Sequence, residues 1–282
     1  MRLSSQQFLD NQRKAITLMG MSGVGKTTLA HKLPRSHWFH YSGDYRIGSR
    51  YLSEPIIDNL KKQAMQVQFL RELLMNDSIY IGNNISFNNL AILSTFLGKL
   101  GDTRLGGIPL EEFKYRQALH RRGEISAMYD VSTFIDKASS IYGYPHFIND
   151  AGGSICELND ESVIKHIADH TVIFYIEADH SLEKTLIERA IADPKPIYYQ
   201  DNFLDTHLKE FLELNDTASV DQIDPDKFVQ WIFPKTIKHR KPLYKAIAEK
   251  YGYTLSAHAI NEVINEQDVL ALLADTIKQT ES

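Results

Sequence analysis

Gly20-Met21-Ser22-Gly23-Val24-Gly25-Lys26-Thr27 fits the phosphate-binding pattern G-x-x-x-x-G-K-[ST] without a mismatch. Upstream, Ala15-Ile16-Thr17-Leu18-Met19 is short, apolar and β-branched, as a buried strand should be. Downstream, Thr28-Leu29-Ala30-His31-Lys32-Leu33 reads as helix. Strand, glycine loop and helix therefore follow in the order such a loop requires. The glycines let the backbone curl so that successive N–H groups and the helix N-terminus point at a phosphate. The expected cradle is Gly20, Ser22, Gly23, Val24, Gly25, Lys26, Thr27 and Thr28, with Lys26 on the β and γ phosphates and the Thr27 hydroxyl on Mg²⁺. Four fixed positions match by chance in roughly one chain of this length in a hundred, and the flanking elements lower that further.

The composition sets bounds around the loop. A chain of 282 residues with 43% hydrophobic and 24% charged residues is expected to fold as one globular domain. A formal net charge of -5 gives no general reason to expect nucleic acid as a partner. The local basic clusters His120-Arg121-Arg122 and Lys238-His239-Arg240-Lys241 read most simply as solvated helix faces. Cys156 is the single cysteine, which excludes an intramolecular disulfide and a cysteine-rich zinc site and fits a reducing cytoplasm. No membrane span is expected, because no stretch approaches about 18 apolar residues, and the N-terminus lacks the apolar core of a signal peptide.

Further strand candidates are spaced far apart with helical patterns between them, the signature of a parallel α/β sheet. They are Trp38–Tyr41, Pro145–Asn149, Thr171–Ile176 and the weaker Tyr253–Leu255. The expected architecture is a three-layer P-loop fold: five parallel strands in the order 2-3-1-4-5, with a helical insertion. About a hundred residues separate the second and third strands, far more than one crossover needs. Residues 51–141 are accordingly read as a helical insertion, with helices expected over Glu54–Met75, Leu90–Leu100 and Leu110–Ile141. The insertion is either a cap over the C-terminal edge of the sheet, where open α/β sheets bind ligands, or an interface for a second copy or another protein. A lid and helical region is expected over 193–245. Its last helix opens at Asp224-Pro225 and is expected to break at Pro234 and Pro242, and a terminal helix should span Asn265–Lys278.

Several residues could serve phosphate chemistry. Asp150 ends the third strand before Gly152-Gly153, where a carboxylate supports Mg²⁺ directly or through water. Asp44 ends the second strand and could take the proton of an attacking hydroxyl. Arg189, before the proline-bounded segment Asp193-Pro194-Lys195-Pro196, could place positive charge on the transferring group.

The order of phosphate loop, Asp44, Gly152-Gly153, Leu186-Ile187-Glu188-Arg189, Lys195-Pro196-Ile197-Tyr198 and Arg240-Lys241-Pro242-Leu243-Tyr244 resembles the shikimate kinase branch of the P-loop kinases. The resemblance covers about two thirds of the chain, and a shared scaffold does not name a substrate. It implies an ATP- and Mg²⁺-dependent kinase for a small-molecule acceptor, with Asp44, Gly152, Gly153 and Arg240 at the acceptor and Arg116 as a loose counterpart of the family's helix arginine. It also implies an adenine pocket between the region of Arg189 and Ser256–Ile260; nothing like N-K-x-D points to guanine. The chain departs from the family on the acceptor side. Ser42-Gly43-Asp44 lacks one acid of the family's D-x-D pair, Gly152-Gly153-Ser154 replaces a triple glycine, and residues 50–107 have no counterpart. These departures point to an acceptor other than shikimate. The competing reading is an ATP-hydrolysing switch whose insertion engages a protein or RNA.

Overall fold

The computed structural model describes residues 2–281. Helix α1 (Ser5–Asp10) starts in a capping box, in which the Ser4 hydroxyl accepts from the Gln7 N–H. It leads into β1 (Ala15–Met19), the glycine loop, α2 (Lys26–His31) and β2 (Trp38–Ser42). Next come α3 (Gly43–Arg46) and a wide turn over Ile47–Tyr51, and then, within the insertion, α4 (Ser53–Ala64), α5 (Gln68–Met75), α6 (Ala91–Leu97) and the long α7 (Leu110–Ser140). After it come β3 (His146–Asp150), α8 (Glu161–His170), β4 (Val172–Glu177), α9 (His180–Ala192), α10 (Asp201–Leu214), α11 (Pro225–Tyr251), β5 (Gly252–Ser256) and α12 (Glu266–Glu281).

The five strands form one parallel sheet in the order β2-β3-β1-β4-β5, as expected for the three-layer P-loop fold. Its central strands are buried on both faces, with Ile16, Leu18, Phe174 and Ile176 wholly inaccessible. Successive residues of β4 show which layers cover it. Phe174 meets Phe8 of α1 edge-on at 6.1 Å, and Tyr175, pointing the other way, stacks on Tyr244 of α11 at 5.0 Å. A second apolar cluster lies away from the sheet, where Phe203, Leu204, Leu208 and Phe211 of α10 pack with Phe113 of α7 and Phe228 and Ile232 of α11.

Three local expectations are corrected. The helix expected over Glu54–Met75 is two, α4 and α5, because Val67 is extended; Arg71 Nε donates to Met65 O at 2.7 Å across the break. The helix expected to reach Leu100 stops at Leu97, where Gly98 takes φ +70° and Ile108 packs so close that a Cβ would lie 2.9 Å from it. The break expected at Pro234 and Pro242 does not occur. α11 runs through both, held against β4 and β5 by Ile237, Tyr244 and Ala248, so burial outweighs the missing N–H donors. No helix among the described residues is long and apolar enough to cross a membrane.

Candidate active site

Sheet register decides which side chains meet. Asp150 at the end of β3 is paired with Leu18 of β1 on one side and Ser42 of β2 on the other. Two residues beyond Leu18 the glycine loop begins, and two residues beyond Ser42 stands Asp44. The glycine loop and two carboxylates therefore leave the same edge of the sheet side by side.

The loop's conformation depends on its glycines. Gly23 takes φ +88°, a conformation that side-chain-bearing residues rarely adopt, and a Cβ there would come 2.8 Å from Leu186 Cδ2 of α9. Ile260, after β5, closes on Gly25 from another direction. Lys26 is buried at the start of α2, and its Nζ donates to the Gly20 and Met21 carbonyls at 2.8 and 3.1 Å, which holds the ammonium over the loop. Thr27 Oγ1 donates to Asp150 Oδ2 at 2.5 Å. Ser22, Thr27 and Thr28 face solvent, whereas Val24 is buried.

Asp44 sits in α3, whose start is capped by the Ser42 hydroxyl accepting from the Tyr45 N–H. Its side chain is open to solvent yet walled in by the surrounding elements. That enclosure raises its carboxyl pKa, as does the neighbouring Asp150 charge, with Lys26 opposing. Gly152 allows this approach: a Cβ there would lie 2.5 Å from Glu124 Oε1 and 3.2 Å from Asp44 Oδ1. Gly153 is held from behind, its carbonyl accepting from Arg240 Nη1 at 2.8 Å and from the Tyr244 hydroxyl at 3.0 Å.

Beside these groups opens a cleft of about 660 Å³. Its polar lining includes Ser22, Asp44, Thr95, His120, Lys195 and Arg240, and Leu90, Leu93, Leu97 and Ile197 contribute apolar surface. The insertion thus contributes α6 as one side of the cleft. The segment before α10 contributes Lys195 to Tyr198.

Arg240 lines the cleft but is committed to the protein. Its Nε and Nη2 both donate to Glu157 Oε2, at 2.9 and 2.6 Å, and Nη2 also donates to Tyr198 O at 2.6 Å. With the bond to Gly153, four of its five N–H protons are used. Arg116 is not brought to the cleft. It is buried between Glu112 (2.7 Å), the Phe96 carbonyl (2.7 Å) and the Phe96 ring, and so ties α6 to α7. Arg189 is exposed on α9, one turn beyond Leu186, and its guanidinium makes no hydrogen bond or ion pair among the described residues. The basic run 238–241 is not a solvated face: Arg240 pairs with Glu157, and Lys241 pairs with Glu183 at 2.6 Å.

His120, read from the sequence as part of a solvated basic face, is buried and lines the cleft instead, and Glu124, which sequence reasoning overlooked, lies wholly buried one turn further along α7. Glu124 and His120 occupy one face of α7, four residues apart. Glu124 is wholly buried; Ser154 Oγ donates to its Oε2 at 2.6 Å, and burial raises its pKa to about 7. His120 stacks on Tyr198, and burial together with the Arg240 charge lowers its pKa to about 4, so the ring is neutral at pH 7. Only the i, i+4 spacing hinted at the pair, and that spacing occurs throughout any long helix.

No protein-family model matches the chain, and no curated protein matches it. Among solved structures, shikimate kinase from Bacteroides thetaiotaomicron is 14% identical over 95% of this chain and 99% of its own, with a TM-score of 0.39. Shikimate kinase from Acinetobacter baumannii, solved in complex with shikimate, is 13% identical over 98% of this chain and 96% of its own, with a TM-score of 0.40. Likeness at that level carries no information on activity. The fold stands on the sheet's own order and direction.

Proposed function

We propose that the chain is an ATP-dependent phosphotransferase that moves the γ phosphoryl group to a hydroxyl of a small acceptor. The observation that carries this reading is the convergence of the phosphate loop, the Thr27–Asp150 pair and Asp44 beside one cleft. Loop amides and Lys26 would bind the β and γ phosphates. The base would lie between α9 and the segment around Ile260, which already meets the loop at Gly25. Thr27 and Asp150 present two oxygens side by side, the donor type that Mg²⁺ takes, and would hold the ion. Bound there, Mg²⁺ supplies positive charge to the phosphate oxygens.

Asp44 accepts the proton of the attacking hydroxyl as the new oxygen–phosphorus bond forms and the bond from phosphorus to the β-phosphate oxygen breaks, releasing ADP. A carboxyl raised above its ordinary value is a better base than a freely solvated one. Arg189, exposed and unpaired one turn from the loop contact, would close over the transferring group as water is excluded. Lys26→Ala should abolish binding of a nonhydrolysable ATP analogue, whereas Asp44→Asn should retain it and lose about 100-fold or more in transfer. Full analogue affinity in the Lys26 variant would overturn the assignment.

A further inference from the structure

We propose that a recess beside the cleft, between the middle of α7 and the start of α10, binds a phosphoryl group carried by a small molecule or present as free phosphate. The proposal goes beyond the phosphotransfer reading and does not depend on it.

The recess has a volume of about 560 Å³. Arg121 and Arg122 line it from α7, and Gln200, Asp201 and Asn202 from the start of α10. Among the described residues, Tyr198 is the one that borders both the recess and the cleft. Asp44 and the glycine loop do not line the recess, so a ligand held there is not placed to receive phosphate.

Its donors come from two helices. α10 starts without a side-chain cap, and the N–H groups of Asp201 and Asn202 have no acceptor among the described residues. They carry the positive end of a 14-residue helix. Arg121 clasps the Leu158 carbonyl through Nε and Nη2, at 2.9 and 2.5 Å, which fixes the guanidinium and leaves both Nη1 protons free. Arg122 is exposed and makes no hydrogen bond or ion pair among the described residues. Uncapped amides with two guanidinium groups beside them suit the oxygens of a phosphoryl group.

Tyr198 is the independent sign of a ligand. It is 5% exposed, yet its hydroxyl has no hydrogen-bond partner in the protein, although buried tyrosine hydroxyls ordinarily find one. Burial raises its pKa, so the group stays protonated and can donate. The charges of Glu157, Glu124, Arg121 and Asp201 act on that hydroxyl; three of these residues line the recess and none lines the cleft. The hydroxyl is therefore set towards the recess.

Two carboxylates border the same space. Glu157 is held by Arg240 at 2.6 Å, whereas Asp201 is exposed in the first turn of α10 and competes with an anion for the same amides. Asp160, whose charge also feels Arg121, is turned to the Ser162 and Val163 N–H groups of its own helix.

Inorganic phosphate and glycerol phosphate are titrated into the full-length chain saturated with a nonhydrolysable ATP analogue and Mg²⁺, and into Lys26→Ala without nucleotide. A binding event should appear in both proteins. Arg122→Gln and Tyr198→Phe, which keeps the ring on His120, should each weaken it about tenfold. Asp201→Asn should tighten it about threefold. Tighter binding of the ester supports the proposal with a phosphorylated molecule as ligand, and equal binding supports it with free phosphate. No binding event in either protein would overturn the proposal, as would an affinity unchanged in both Arg122→Gln and Tyr198→Phe. Weaker binding in Asp201→Asn would overturn it too, because the carboxylate would then be a partner of the ligand.

Discussion

Glu124 shows how one residue links stability to the site. Its folded pKa, about 7, stands above the ordinary carboxylate value of 4.5, so between those values the folded protein binds the extra proton. Stability from this group is therefore full below pH 4.5 and lost as pH rises through 7. Asp44 and Glu157 push in the same direction as burial, while Ser154 and Arg240 oppose it. Glu124→Gln removes the titration. The variant should gain about 2 kcal/mol relative to the natural chain between pH 5 and pH 8, read from urea unfolding at the two values. A difference that does not change with pH would show that the carboxyl is not held above its ordinary range. Lys26 and Thr27 could be placed at the loop–helix junction from the sequence because motif and flanking elements coincide; the burial of Glu124 could not be read, since it is created by elements far along the chain.

Among the elements, α6 and α7 share the apolar core and are also joined by one arginine. Arg116 bonds Glu112 on its own helix and the Phe96 carbonyl near the end of α6, with its guanidinium over the Phe96 ring. Arg116→Ala should cost about 2 kcal/mol in chemical denaturation, because it leaves a carbonyl and a half-buried carboxylate unpaired, while affinity for the ATP analogue stays unchanged. An unaltered unfolding midpoint would contradict this clamp. At the same scale, strand positions were legible almost to the residue, since β-branched apolar runs bounded by turn residues are local signals. Helix interruptions were not. Val67 breaks a segment that reads as continuous helix, and Pro234 and Pro242 fail to break α11, because packing decides each case after local preference has been expressed.

For the whole molecule, the sheet brings together what the chain keeps apart. Thr27 and Asp150 are 123 residues apart and hydrogen-bonded, and Arg240 reaches Glu157 across 83. A ligand seated at such a junction couples to global unfolding. ATP analogue with Mg²⁺ at about 100 times its Kd should add about 2.7 kcal/mol, which for a chain of this size raises Tm by about 5 °C. Lys26→Ala should abolish that rise, and a thermal shift that survives the substitution would place nucleotide elsewhere. α4 and α5 add little to the core: Ile56 and Ala64 are the buried residues of α4, and α5 has none. The nearer part of the insertion, α6 and α7, shapes the cleft.

The sequence by itself determined the glycine loop between strand and helix, the run of five strands and the acid that ends β3. Glycine freedom, β-branching and strand-end position are properties of a residue and its immediate neighbours, and they survive in any context. Only the tertiary structure decided which charges are available. Arg116, Arg189 and Arg240 read alike along the chain, yet one clamps two helices, one is exposed and unpaired, and one is locked to Glu157. The physical reason is that hydrogen-bond commitment and desolvation depend on partners brought in from distant segments. Those partners decide which polar groups beside the loop are already committed and which are left unbonded.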